Sequence, residues 1–223
     1  QVADQFGDDL IIVATKPAVP FKNIDKLLNH NIIWFQNADD IWHRRHEFDD
    51  RNFILHTGWA HKGWLRYDKY IKAKNNAKVV VVVDNHFKKN LRQFFGAFYF
   101  RFFLKKYFDG AFVPGREGKK LMSFLGMKDS NIYVGNYGAY EDIFNDTLCI
   151  SKRNDEFLYV GQLNKRKSVD VLIEAFNLYR KNGGTWNLRI LGSGDLQDKC
   201  TGEGLIFEGF TQPNKVASRM NNS

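Results

Sequence analysis

EFLYVGQLNKRKSVDVLIEAF, residues 156–176, decides how the chain is read. Its apolar run stops at Gly161, a basic turn follows, and residues at helical spacing begin at once. Val169, Leu172, Ile173, Phe176 and Tyr179 fall on one helix face. Ser168 is the expected N-cap, Asp170 complements the first turn, and Asn182, Gly183 and Gly184 end the helix. A buried strand feeding straight into such a helix is the building unit of an α/β fold. Lys165, Arg166 and Lys167 crowd a helix N-terminus that already carries partial positive charge. That placement costs stability unless an anion sits between, and first-turn amides at 168–170 beside a lysine suit a phosphate. Gly161 is expected to let the ligand approach the strand end closely.

Further runs rich in β-branched residues lie on either side. They are LIIVAT (10–15), NIIWFQ (31–36), NFILHT (52–57), KVVVVVD (78–84), GAFVP (110–114), NIYVG (131–135), NLRILG (187–192) and GLIFEG (204–209). Most are continuous instead of alternating, as in parallel strands covered on both faces. The predicted fold class is therefore α/β and doubly wound. A polar stretch around 145–156 divides it into a Rossmann-like domain over 1–150 and a second, incomplete one over 151–223. Three strands follow the break before the text stops at MNNS, and the first residue is not Met; both lead to the expectation of a piece of a longer chain.

A hydrophobic fraction of 43% and a charged fraction of 26% are those of an ordinary globular protein. Cys149 and Cys200 form no CxxC pattern, so neither a disulfide framework nor a zinc site is expected. No apolar run reaches the length of a membrane span and no secretory leader opens the sequence, which predicts a cytoplasmic protein. The net charge of +8 favours an anionic partner. No nucleic-acid recognition motif accompanies it, so nucleic acid is not the expected one.

FLYVGQLNKRKSVDVLIEAF resembles the start of the donor-binding domain of group 1 (family 4) retaining glycosyltransferases of the GT-B fold, matching at Gly161, Leu163, Lys167 and Leu172–Phe176. NLRILGSGDL (187–196) and LIFEGFTQPNKVASRM (205–220) resemble the next two signals of that domain, in the same order. FDGAFVPGREGKKLMSFLGMKDSNIYVGNYGAYEDIFN (108–145) is similar to the segment closing the family's acceptor-side domain. The family's arginine after the strand glycine is Gln162 here, which shifts part of a diphosphate contact to Lys165 or Arg166. Its Glu-x7-Glu pair is not in the sequence, so the donor domain is expected to be partial.

The resemblance implies transfer of a sugar from a UDP- or GDP-linked donor to a saccharide or lipid-linked acceptor, with retention and without a metal or other cofactor. Lys167 and His86 would be catalytic. Gly161, Gln162, Lys165, Lys167, Gly192, Ser193, Gly194 and Phe210 would hold the donor, with Glu208, Gly209 and Thr211 bordering its base. His56, Gly58, Trp59, Asp84 and Asn85, at or after strand ends, would line the acceptor cleft. Asp39–Asp40 and Asp49–Asp50 are read as loop caps and not as metal ligands. A non-catalytic nucleotide- or polyanion-binding module is the alternative.

FKKNLRQFFGAFYFRFFLKKYFD, 87–109, mixes Phe and Tyr with six cations. It is read as a core helix with a basic rim, and peripheral contact with an acidic membrane surface is the other reading.

Overall fold

The computed structural model describes residues 5–16, 20, 22, 32–136, 138–139, 141–144 and 153–223. The chain divides into two compact units, Gln1–Ala18 with Asn23–Gly138, and Val19–Lys22 with Ala139–Ser223. The expected boundary between 150 and 151 lies outside the described residues.

All nine apolar runs form strands. In the first unit, Ile12–Thr15 (β1) and Ile32–Phe35 (β2) pair in parallel as a separate two-stranded sheet. Phe53–Thr57 (β3), Lys78–Val82 (β4), Gly110–Val113 (β5) and Ile132–Val134 (β6) form a parallel sheet in that order. Helices Lys62–Asn75 (α1), Leu91–Tyr99 (α2) and Arg116–Phe124 (α3) alternate with these strands. Val79, Val81, Ala111 and Val113 are sealed from solvent among Ile71, Tyr67 and Met122. Each fully buried branched side chain contributes roughly 1.5–3 kcal/mol, which explains why the valine run is a central strand.

The aspartate pairs act as loop ties, as expected. Asp40 Oδ2 accepts from the Gln36 amide at 2.8 Å, and Asp39 accepts from the Gly63 amide. Asp49 pairs with Lys74 and Asp50 with Arg51.

The core-helix reading of 87–109 holds for one side of the segment and fails for the other. After α2 the chain makes a π-helical turn, Phe100–Leu104, and a 3₁₀ turn, Lys105–Tyr107. Ala97, Phe100, Leu104 and Phe108 point inward. Leu91, Phe94, Phe95, Phe98, Tyr99, Phe102 and Phe103 are all between 53% and 77% exposed. A segment apolar around its whole circumference says nothing about which side meets the sheet, and here the small Ala97 permits the close approach.

In the second unit, Glu156–Val160 (β7), Asn187–Leu191 (β8) and Leu205–Gly209 (β9) pair in parallel in sequence order. Val169–Lys181 (α4) joins β7 to β8, and Pro213–Asn222 (α5) follows β9. Val169, Ile173 and Phe176 of α4 pack on Leu188 and Ile190 of β8, as the spacing predicts.

Candidate functional site

The loops after β7, β8 and β9 leave the same edge of one parallel sheet, the edge at which open α/β sheets hold ligands. Backbone bonds continue beyond the strands: Gly161 N donates to Leu191 O at 3.0 Å and Gly192 N to Gly209 O at 2.8 Å. Leu163 N then donates to Ser193 O, and Leu196 N to Leu163 O, both at 2.9 Å. The 161–167 and 192–196 loops are thus stitched together. Gly192 and Gly194 have φ of +151° and +153°, and a Cβ on either would collide with the carbonyl oxygen of Gly161 or Leu163. Their glycines serve this backbone contact first.

The basic turn has a local architecture that the sequence reading missed. Asn164 caps it, its Oδ1 accepting from Lys167 N at 3.1 Å. Lys165–Lys167 form one 3₁₀ turn, and Ser168 N donates back to Lys165 O at 3.0 Å. Ser168 is left-handed at φ +53° and its side chain caps nothing, contrary to expectation. Serine holds here a conformation that glycine adopts freely, at a cost of about 1–3 kcal/mol. The helix makes its first internal bond from Leu172 N to Ser168 O. The open amides are therefore those of Val169, Asp170 and Val171, one residue later than predicted.

Lys165, Arg166 and Lys167 are exposed, and among the described residues none has a carboxylate partner. Gln162 Oε1 accepts from Arg166 Nη2 at 3.1 Å and from Asn164 Nδ2 at 3.2 Å, so the neutral residue braces the turn. Gly161 does not open space for a ligand as expected. The Tyr159 hydroxyl stands 3.0 Å from where its Cβ would be and donates to Gln162 O at 2.9 Å. Burial raises that phenol above its usual value, Arg166 opposing, so it remains a donor at neutral pH.

Phe210 and Thr211 are half-buried after β9. Glu208 does not border a base: Arg189 pairs with it, as do Arg219 at 2.8 Å and Lys215 at 3.0 Å. Arg189 also binds Glu156 at 2.9 Å, and Ser223 Oγ lies 3.0 Å from the same carboxylate. Burial alone would raise Glu156 and Glu208. Hydrogen bonds from Arg189 with Ser223 or Lys215, and the nearby arginine charges, outweigh it and hold both below the carboxylate range.

In the first unit, Asp84, Asn85 and His86 are exposed beyond the carboxyl end of β4, where Gln93 Nε2 donates to His86 O at 2.8 Å. Gly58 follows β3, donating to Val82 O at 3.0 Å. His56 is not a lining residue of an open cleft. It is 6% exposed, stacked on Trp64 at 4.9 Å, with Nε2 3.1 Å from Oδ2 of the fully buried Asp68. Burial raises the Asp68 carboxyl, against the His56 hydrogen bond. Trp59 packs on Phe100 at 5.1 Å and on Phe108, and so belongs largely to the core. The structure brings the residues expected to hold a donor together around two stitched loops. Gly58 and residues 84–86 form a separate set in their own unit. Among the described residues no three His, Cys, Asp or Glu side chains converge on a metal site.

Residues 142–204 match the family model for glycosyl transferases group 1, a span that contains the basic turn, α4, β8 and the Gly192–Gly194 loop. This segment resembles the group 1 glycosyl transferases. No curated protein matches in sequence. Among solved structures, TarM is similar with a TM-score of 0.51 at 14% identity, over 83% of this chain and 39% of that one. A chain of the GtfA/B complex also gives 0.51, at 16% identity over 78% and 38%. The lipopolysaccharide outer core galactosyltransferase WaaB gives 0.49 at 16%, over 86% and 56%. The shared fold class is GT-B, built on Rossmann-like parallel α/β domains. The chain spans about two-fifths of the length of TarM and of the GtfA/B chain. The group 1 segment thus coincides with the part of the second unit in which the unmatched cations stand.

Proposed function

We propose that the chain is the acceptor-side unit and part of the donor-binding unit of a glycosyltransferase. It moves a sugar from a nucleoside diphosphate sugar to a saccharide or lipid-linked acceptor with retention of configuration. One observation carries this reading. Three cations without carboxylate partners and three open helix amides meet at the carboxyl end of β7, inside the segment that matches group 1 glycosyltransferases.

The sugar's bond to the diphosphate breaks while positive charge spreads over the sugar ring and negative charge gathers on the leaving group. Lys167 and the amides of 169–171 stabilise the negative charge. A contact at ~4 Å with an effective dielectric of about 20 has a magnitude on the order of 4 kcal/mol before desolvation. If a third of it develops only in the transition state, the rate rises about tenfold. Lys165 and Arg166 supply the charge that Gln162 lacks, and the Gly192–Gly194 loop borders the nucleoside. His86, with Asp84 and Asn85, hydrogen-bonds the acceptor or the donor sugar. The fixed cations and helix end stand where a divalent ion would otherwise balance the diphosphate, so a chelator is expected to leave turnover unchanged.

Calorimetry with UDP, GDP and their sugars tests the site, with Lys167→Ala expected to weaken diphosphate binding about tenfold. Wild type and variant both failing to bind would overturn it. Gln162, neutral where the family carries arginine, favours a second reading as a nucleotide-binding module without turnover. Binding without sugar transfer in an assay with mixed acceptors selects that reading, and the anomeric configuration of any product tests retention.

A further inference from the structure

The exposed face of 91–103 runs against the usual logic of a surface helix. Such a helix turns its apolar stripe inward and its polar side to water. Here α2 and the π-helical turn bury Ala97, Phe100 and Leu104, yet present Leu91, Phe94, Phe95, Phe98, Tyr99, Phe102 and Phe103 outward. These rings form a layer: Phe98 meets Phe102 at 4.5 Å, Tyr99 meets Phe103 at 5.2 Å, and Phe94 meets Phe95 at 6.0 Å. Scattered apolar residues on a surface need no explanation, but a contiguous layer marks a contact surface.

Charge names the partner. Lys88, Lys89 and Arg92 are exposed at the amino end of the layer, and Arg101, Lys105 and Lys106 at its carboxyl end. No Asp or Glu occurs from Asn85 to Phe108. An open groove of about 790 Å³ lies at the amino end, walled by Phe87, Leu91, Phe94 and Phe124 with Lys89 and Arg92 on its rim. Aromatic rings bracketed by cations at both ends of a helical segment about 20 Å long match a bilayer surface. Rings enter the acyl boundary there and cations meet anionic headgroups. No helix among the described residues is long and apolar enough to cross a membrane, so the contact is lateral.

We propose that the 88–106 segment is a peripheral docking surface for an anionic lipid bilayer, with the groove seating one headgroup and the start of its chains. This surface stands on the first unit alone and does not depend on sugar transfer.

Co-sedimentation with phosphatidylcholine vesicles, with and without phosphatidylglycerol, tests it in the absence of any nucleotide. Wild type is expected to pellet with the anionic vesicles and to be released as salt rises. The combined Phe95→Ser, Phe98→Ser and Phe102→Ser variant changes only exposed rings, so its circular dichroism should match wild type while binding falls at least tenfold. Lys105→Gln with Lys106→Gln should weaken binding by roughly fivefold for each charge neutralised. Lys167→Ala should pellet like wild type, which separates this test from that of the donor site. Failure of wild type to bind anionic vesicles at low salt overturns the proposal. So does full retention of binding by the serine variant, which would leave only diffuse charge attraction. Sedimentation showing a wild-type dimer that the serine variant dissociates, with no vesicle binding by either, would assign the face to a second copy instead.

Discussion

The second unit places its cations in two ways. Arg189, Lys215 and Arg219 are gathered by Glu156 and Glu208, with Arg189 lying between both carboxylates on the middle strand. Lys165, Arg166 and Lys167, after the end of the strand that Glu156 begins, meet no carboxylate among the described residues. The first group is positive charge used to hold a sheet to the helix that follows it. The second is positive charge left over, stacked at the end of a helix whose own dipole opposes it. An ion network explains its own presence; an unmatched turn asks for a partner from outside the chain.

The sharpest break of this contrast is Arg189→Ala. Its side chain is 14% exposed, and its removal leaves Glu156 and Glu208 facing each other with less countercharge. Loss of stability on the order of 3 kcal/mol is expected, read from urea midpoints. The pH profile comes next. Both glutamates are held below their ordinary range in the folded chain, so the folded form gives up its protons at lower pH than the unfolded one. Their contribution is complete above the unfolded value of about 4.3 and is lost as pH falls through the lower folded values. Denaturation between neutral pH and pH ~3 should show that fall, and Arg189→Ala should flatten it. Ser168→Gly should raise stability by about 1 kcal/mol by removing the left-handed strain. The smallest stability effect belongs to Lys167→Ala: no measurable change in the urea midpoint, even though diphosphate binding weakens. A clear loss of stability there would show that the turn is internally matched after all.

The strands were legible because continuous apolar runs have few other uses in a chain of this size, and KVVVVVD states its burial outright. The helix after the basic turn was equally plain from Val169, Ile173 and Phe176. What escaped depends on partners distant in sequence or on the sign of a local angle. His56 reads like a strand-end ligand until Asp68, twelve positions on, is found enclosed with it. A polar residue at a buried position of a helix was the available clue. Ser168 carries no mark of its left-handed backbone, and Asn164 before three cations was a capping signal left unused. The aromatic run could not disclose its outward face, because ring count is the same whichever side is buried.

The stitching of the Gly161–Leu163 and Gly192–Gly194 loops reaches into the protein's capacity to vary. Every codon change that replaces either of the latter glycines installs at least a methyl group where a neighbouring carbonyl already stands. A lineage therefore cannot remodel one loop by small heritable steps and leave the other as it was. The pair must drift together, and whatever the cationic bend grips inherits its geometry from both.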